Sequence, residues 1–134
     1  MSESSRPVTV HAWVDIACPW CWIAKRRFEE AAAEFGGEVV VDYHSWELAP
    51  DLPESWVSSE VVFLQHLYAG TTAEDAAQKI SAVRTTGVRL GLAYDFDAVQ
   101  HTNTFRAHQL VHHAKAQGRG SEALRRASGV SSRG

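Results

Sequence analysis

Apolar and polar positions alternate along the first part of the chain and then change their period. Apolar residues occupy every second position from Val8 to Ile16, which is typical of a strand with one strongly apolar face. Between Pro19 and Phe35 they recur every three or four positions, and this spacing predicts a helix that ends at Gly36-Gly37. The β-branched and aromatic run from Val39 to Leu48 predicts a second strand. A strand, a helix and a strand in this order predict a right-handed βαβ unit over residues 8–49, with parallel strands.

The pattern turns helical after Pro50 and Pro53, which end the second strand. Thr71 and Glu74 have the spacing of a capping box and mark the start of the middle one of three predicted helices. These helices are expected at about residues 58–68, 72–92 with a break at Gly87, and 103–117. We interpret residues 50–117 as a helical insertion domain.

The two ends of the chain differ from its body in composition. Residues 1–7 are polar, and residues 118–134 are mostly Gly, Ser, Ala and Arg, with Leu124 and Val130 as the larger apolar residues. Such compositions predict a disordered N-terminal tail and a basic, disordered C-terminal tail. The rest of the chain is sufficient for one globular core, since 45% of the 134 residues are hydrophobic.

The charge of the chain excludes two classes of partner. Its formal net charge of -3 gives no positive field that would attract nucleic acid or an anionic membrane surface. No apolar run approaches the length of a membrane span, and residues 1–7 lack the apolar segment of a secretion signal. We therefore expect a cytoplasmic protein, with neither nucleic acid nor a membrane as its partner.

The two cysteines of the chain, Cys18 and Cys21, form one C-x-x-C motif between the first predicted strand and the first predicted helix. Pro19 suits the first helical turn, so Cys18 is expected at the helix N-terminus. Backbone N–H groups and the helix dipole favour a thiolate there, which predicts a lowered pKa and the role of nucleophile for Cys18. Cys21 lies one turn inside the helix, between Trp20 and Trp22, and is expected to be the resolving cysteine.

Two other interpretations of this motif stand beside redox catalysis. The cysteines could be half of a zinc site completed by histidines, or they could be an inert pair. The strand-to-helix context argues against zinc, and in a reducing compartment a C-x-x-C is more typical of catalysis than of a structural disulfide. His108 and His112 have the spacing of a chelating pair, but they are expected to flank the buried stripe of a helix. The redox chemistry requires no metal and no bound cofactor.

Three further polar residues have both a structural and a functional interpretation. Asp15 is either a buried proton acceptor for Cys21 or a cap of the following turn, and capping is the commoner role of an Asp before a helix. Asn103 stands where a cap of the last predicted helix is expected, and His108 borders the apolar stripe of that helix. We expect Asn103 and His108 to contribute to structure before function.

The chain resembles the DsbA-type thioredoxin-fold oxidoreductases in the segment from Val14 to Phe28, which reads V-D-I-A-C-P-W-C-W-I-A-K-R-R-F. The similarity is to the FrnE-like branch, which is related to the 2-hydroxychromene-2-carboxylate isomerases. Two segments downstream agree with it, namely W-E-L-A-P-D-L-P from Trp46 to Pro53 and N-T-F-R-A-H-Q-L from Asn103 to Leu110. Thr104 and His108 belong to the last of these segments.

This resemblance implies an α/β, thioredoxin-like fold of DsbA type, with a βαβ unit followed by a helical insertion. It covers about residues 8–118 and implies that Cys18 attacks while Cys21 resolves. Members of the family continue through another helix, a loop with a cis-proline, two more strands and a closing helix. This sequence has no proline after Pro53, so we expect the second half of the thioredoxin fold to be missing.

The leading hypothesis is a thiol-disulfide oxidoreductase that acts on protein or small-molecule thiols and disulfides through a mixed disulfide. The related isomerases suggest an alternative, a glutathione-linked isomerase of small aromatic or polyketide-type substrates, although those enzymes generally carry Ser at the position of Cys18. A third hypothesis is a catalytically incompetent fragment. A sheet of two strands leaves its outer edges unpaired, so we expect either self-association through an edge or a marginally stable fold.

Overall fold

The structure of the chain, a computed structural model, describes residues 6–128 and the short strand at residues 131–132. Most of the predicted N-terminal tail, residues 1–5, lies outside this part. The elements in chain order are β1 (Val8–Val14), α1 (Pro19–Glu34), β2 (Val39–Ser45), α2 (Glu60–Leu67), α3 (Ala73–Arg89), β3 (Leu92–Ala93), α4 (Phe105–Ala116), α5 (Gly120–Ser128) and β4 (Ser131–Ser132). None of the helices described here is long and apolar enough to cross a bilayer.

The predicted βαβ unit is present and forms the frame of the fold. β1 and β2 pair in parallel, in a register that runs from Val8 opposite Val39 to Val14 opposite Ser45. β1 is shorter than the alternating pattern predicted, because the chain turns at Asp15. The carbonyl oxygen of Asp15 accepts a hydrogen bond from the N–H of Cys18 at 3.2 Å. The C-x-x-C motif therefore lies at the carboxyl end of β1, where sites in α/β sheets are usually found.

One hydrophobic core joins the βαβ unit to the helices that follow it. On α1, Trp22 and Ile23 are 6% and 2% exposed. The other buried members come from later in the chain and are Val83, Leu92, Phe96, Val111 and Leu124. A smaller cluster consists of Ala49, Leu52 and Phe63. The later helices thus cover α1 and fix its first turn, which carries both cysteines.

The helix α3 begins with a capping box one residue later than predicted. The hydroxyl oxygen of Thr72 accepts the N–H of Asp75 at 3.1 Å, and the Asp75 carboxylate accepts the N–H of Thr72 at 3.2 Å. The predicted pair, Thr71 and Glu74, was wrong. Thr72 and Asp75 lie one position further along the chain and have the same spacing and the same kinds of hydrogen-bonding group, so the pattern fits both pairs.

Gly87 does not break α3, as the sequence analysis expected, but lies buried inside it. A Cβ atom at this position would be 2.5 Å from Cε2 of Tyr94. The glycine therefore makes room for the ring of Tyr94, whose hydroxyl donates a hydrogen bond to the carbonyl oxygen of Pro19 at 2.7 Å. The chain leaves the helix further on, at Gly91, whose φ of 72° suits glycine.

The segment predicted to be a disordered C-terminal tail contains a helix. α5 spans Gly120–Ser128 and packs on α4, with Leu124 only 2% exposed. Glu122 pairs with Arg119 and Arg126, each at 3.1 Å. The prediction of disorder was wrong for this helix because average composition does not register one leucine placed on the face that meets the core. Val130 lies outside the described residues.

Candidate active site

The C-x-x-C motif forms the first turn of α1. Cys18 is the N-cap residue, with an extended backbone at φ -101° and ψ 104°, and Pro19 is the first residue of the helix. The carbonyl oxygen of Cys18 accepts the N–H of Cys21 at 3.2 Å. Both cysteines are free thiols and both are partly exposed. The local sequence explains this arrangement, since proline cannot donate to a preceding turn but fits the start of a helix.

A hydrogen bond between the two sulfur atoms links the ionisation of the thiols. Because Cys18 donates this bond and is partly buried, its pKa is raised above the ordinary value. The same bond stabilises a thiolate at Cys21 and lowers the pKa of Cys21 to about 7. The two thiols therefore share one proton near neutral pH, and the assignment of the thiolate to Cys18 stays a prediction.

A cavity of about 240 Å³ opens beside Cys18, and Cys21 does not line it. Trp20 stands at this cavity and is 48% exposed, whereas Trp22 points into the core. The cavity has a largely apolar wall, formed by Leu48, Phe63, Leu64, Leu67, Ile80, Val83 and Phe96, with Glu60 and Lys79 as its charged residues. A molecule that enters this cavity therefore contacts Cys18 but not Cys21.

Asp15 is buried directly before the motif, with 3% of its surface exposed. One carboxylate oxygen accepts the N–H of Leu48 at 2.8 Å. The other oxygen is 2.9 Å from the Thr104 hydroxyl and 2.9 Å from Nε2 of His108. Burial alone would raise the pKa of Asp15, but the bonds from His108, the Leu48 N–H and Thr104 together lower it. Asp15 is therefore a carboxylate. Its negative charge makes ionisation of both thiols less favourable, but for Cys21 the contact with Cys18 has the larger effect, and the pKa of Cys21 is lowered.

The expectation that Asp15 caps the following turn is met by one hydrogen bond, while the N-cap position of α1 itself is occupied by Cys18, whose side chain makes no capping bond. Within the turn, Oδ1 of Asp15 accepts only the N–H of Ala17, at a long 3.4 Å. Its stronger partners come from the loop after β2 and from α4. The carboxylate therefore holds three separate chain segments together at the motif.

Asn103 and Thr104 fasten the start of α4 to the same region. Thr104 is the N-cap residue of α4, not Asn103. The side-chain carbonyl of Asn103 still accepts the N–H of Phe105 at 2.9 Å, and its amide donates to the carbonyl oxygen of Leu52 at 2.6 Å. Thr104, in contrast, turns its hydroxyl away from the helix and towards Asp15.

Two features near the motif had no signal in the sequence. The pKa of Tyr94 is raised, first by burial and then by the charges of Cys18 and Cys21, so its hydroxyl stays neutral beside the thiols. Glu60, at the wall of the cavity, contacts Nε2 of His101, and both side chains are buried. The residues of these contacts lie far apart along the chain, so no local pattern could have predicted them.

The structure does not join His108 and His112 as a chelating pair, the alternative that their spacing left open. Nε2 of His108 is directed to Asp15, while Nε2 of His112 lies 2.8 Å from the hydroxyl of Ser45. Within residues 6–128, no group of three potential metal ligands includes either cysteine. Nothing in this geometry therefore favours a zinc site at the C-x-x-C motif.

The chain matches the model of the DsbA-like thioredoxin domain over residues 9–128. No curated protein sequence matches it. Among solved structures it is similar to a probable DsbA oxidoreductase from Streptomyces coelicolor, with 36% identity and a TM-score of 0.79. That match covers 90% of this chain and 52% of the other, so the chain spans about half the length of this relative. The expected α/β, thioredoxin-like fold is confirmed, and the chain belongs to the family of DsbA-like thioredoxin domains.

Proposed function

We propose that this chain is a thiol-disulfide oxidoreductase of the FrnE-like branch, in which Cys18 exchanges disulfides with the substrate and Cys21 resolves. The observation that carries the proposal is the position of Cys18, at the start of α1 and at the edge of the apolar cavity that Cys21 does not reach. The substrates would be protein or small-molecule thiols and disulfides, and the setting a reducing compartment such as the cytoplasm.

In the oxidising direction, a substrate thiolate attacks Sγ of Cys18 in the Cys18–Cys21 disulfide. The bond between the cysteines breaks, and its electron pair leaves on Cys21. Cys21 leaves as a thiolate in the first turn of α1, where the helix N-terminus stabilises the negative charge. A second substrate thiolate then attacks the substrate sulfur of the mixed disulfide and releases Cys18 as a thiolate. Two electrons pass from the substrate to the cysteines.

The reducing direction uses the same contact between the sulfurs. The proton that Cys18 donates to Cys21 passes fully to Cys21, which leaves the thiolate on Cys18. This thiolate attacks one sulfur of the substrate disulfide, and the other sulfur leaves as a thiolate, which takes the proton of Cys21. The Cys21 thiolate then attacks Sγ of Cys18, forms the Cys18–Cys21 disulfide and releases the second substrate sulfur as a thiolate. The negative charge of Asp15 has a small raising effect on the pKa of each thiol, beside the larger effect of the contact between the sulfurs.

A redox titration tests the proposal. The reduced protein is equilibrated with glutathione buffers, its free thiols are trapped by alkylation, and the products are identified by mass spectrometry. We expect one two-electron transition in which Cys18 and Cys21 form an intramolecular disulfide. The Cys21→Ser variant should instead accumulate a mixed disulfide between Cys18 and glutathione. The absence of a two-electron couple in the unmodified chain would refute the proposal.

The apolar cavity favours a second candidate, a glutathione-linked isomerase of small aromatic or polyketide-type compounds. Its volume of about 240 Å³ and its apolar wall suit a small molecule better than a peptide. The Cys21→Ser variant separates the two functions. An isomerase should keep its turnover in this variant, whereas a dithiol oxidoreductase should lose it.

A further inference from the structure

A second cluster of chemically active side chains lies on β1 and β2, apart from the cysteines. Alternate residues of a strand share a face, so Asp42 and His44 lie side by side on β2. The parallel register places His11 of β1 opposite Asp42. Nδ1 of His11 is 2.9 Å from Nε2 of His44 and 3.4 Å from Oδ2 of Asp42, while Nε2 of His44 is 3.2 Å from the same oxygen.

Two of these distances, 3.4 and 3.2 Å, match those between the ligands of a tetrahedral metal ion, and the third, 2.9 Å, is a hydrogen bond between the imidazoles that an ion would replace. Bonds of about 2.0–2.1 Å from zinc to nitrogen or oxygen place neighbouring ligand atoms about 3.3 Å apart. The ion would then lie just outside the plane of the three atoms. The side chains of His11, Asp42 and His44 are 52%, 32% and 32% exposed, which leaves the outer side of the cluster open to water.

Neighbouring side chains already fix the orientation of two of the three groups. The ring of Trp13 stacks on His44, with centroids 4.8 Å apart and an angle of 21° between the planes. Nζ of Lys115 lies 2.5 Å from Oδ1 of Asp42, which leaves Oδ2 directed towards both imidazoles. These contacts restrict the ring of His44 and the carboxylate of Asp42 to the orientation in which both face His11.

We propose that His11, Asp42 and His44 form a binding site for a divalent transition metal, with zinc as the ion of choice and water completing the coordination. Two imidazoles and one carboxylate favour zinc over magnesium or calcium, which prefer oxygen ligands throughout. The site is independent of the thiols and of the proposed redox function, since it contains neither cysteine.

The experiment uses the full chain with Cys18→Ser and Cys21→Ser, so that no thiolate competes for the metal. Zinc binding is measured by calorimetry, and Co²⁺ is added as an optical probe, because tetrahedral Co²⁺ absorbs strongly in the visible. One ion per chain is expected to bind. The variants His11→Ala, Asp42→Asn and His44→Ala should each weaken zinc binding at least tenfold and abolish the Co²⁺ absorption.

The matched control is His113→Ala, which removes an exposed histidine of α4 that contacts Gln117. This variant should bind zinc and Co²⁺ like its parent. Far-UV circular dichroism checks that each variant keeps its fold. If His44→Ala does not, His44→Gln is used in its place. Equal loss in the control, or zinc binding that survives removal of all three ligands, would overturn the proposal.

Discussion

Nε2 of His108 lies 2.9 Å from Oδ1 of Asp15, and their side chains are only 6% and 2% exposed. This contact joins α4 to the turn that begins the C-x-x-C motif. Removing one partner of a buried ionic or hydrogen-bonded pair leaves the other without compensation, at a cost of about 3–5 kcal/mol. His108, which borders the apolar stripe of α4, therefore also holds the turn that precedes the C-x-x-C motif.

The first prediction concerns the stability that this contact supplies. His108→Ala should lower the free energy of unfolding by about 3–5 kcal/mol, because the Asp15 carboxylate stays buried with fewer donors. His112→Ala, one turn along the same helix, removes only an exposed contact with Ser45 and should cost less than about 1 kcal/mol. Urea unfolding monitored by circular dichroism measures both. Equal losses in the two variants would contradict this account of Asp15.

A second prediction concerns the acid end of the stability profile. The pKa of Asp15 is lowered in the folded chain from its ordinary value of 3.8. A carboxyl group of this kind contributes stability that is fully present above the unfolded pKa and is lost as the pH falls through the folded pKa. Asp15→Asn should therefore be less stable at neutral pH and show a flatter decline below pH 3.8. Unfolding midpoints are measured across this range, with the exposed Asp97→Asn as control. A decline in Asp15→Asn as steep as in the unmodified chain would contradict the prediction.

A third prediction follows from the contact between the thiols. The rate of alkylation by iodoacetamide should rise through a pH of about 7, the pKa to which Cys21 is lowered, because the coupled pair loses one proton there. The remaining proton exchanges between the two sulfurs, so Cys18, which lines the cavity, should be labelled first. Cys18→Ala removes the bond that stabilises the Cys21 thiolate, so the pKa of Cys21 should rise towards 9.0. Mass spectrometry of the labelled peptides reads both effects. Preferential labelling of Cys21, or no shift in the variant, would contradict the arrangement.

A fourth prediction concerns Gly87, which lies far from the cysteines in sequence. Alanine usually stabilises a helix interior, but here its Cβ would meet the ring of Tyr94. Gly87→Ala should therefore destabilise the chain by about 1–3 kcal/mol, the usual cost of overpacking. Ser81→Ala, at an exposed position of α3, should be neutral or slightly stabilising. A thermal melt distinguishes the two, and a stabilised Gly87→Ala variant would show that the ring moves freely.

The fifth prediction concerns association of the chain with itself. The sheet has the order β1–β2, so each strand has one edge with no partner strand within the described chain. Beside β1 lies an apolar groove lined in part by Val8, Val10, Phe28 and Phe35. Light scattering should show self-association, or the melt should be broad and marginal. Phe35→Glu should reduce association, whereas Val88→Glu on α3 should not. A compact monomer with a cooperative melt would refute this prediction.

Local patterns predicted what depends on local geometry. The alternation from Val8 and the period after Pro19 predicted the βαβ unit, and this unit alone places Cys18 and Cys21 at the carboxyl end of β1. The one-residue shift of the capping box is an error of the same local kind, since two pairs of residues satisfied one pattern.

Contacts between distant segments could not be predicted in this way. The partners of Asp15 come from Leu48, Thr104 and His108, and only the folded chain brings these residues together. The coupled ionisation of Cys18 and Cys21 depends on the contact between their sulfurs, which only the folded turn brings about. The helix α5 was not predicted because the composition of a segment is an average over all its positions. It does not show that Leu124 lies on the one face of the helix that meets the core.

The shared core also has a consequence for synthesis on the ribosome. Trp22 and Ile23 emerge early, but Leu124, which completes the same core, is among the last of the described residues to emerge. Until then the apolar face of α1 has no complete cover, and contacts between such distant positions form slowly. The helix that carries both cysteines can therefore reach its final packing only after α5 has been synthesised.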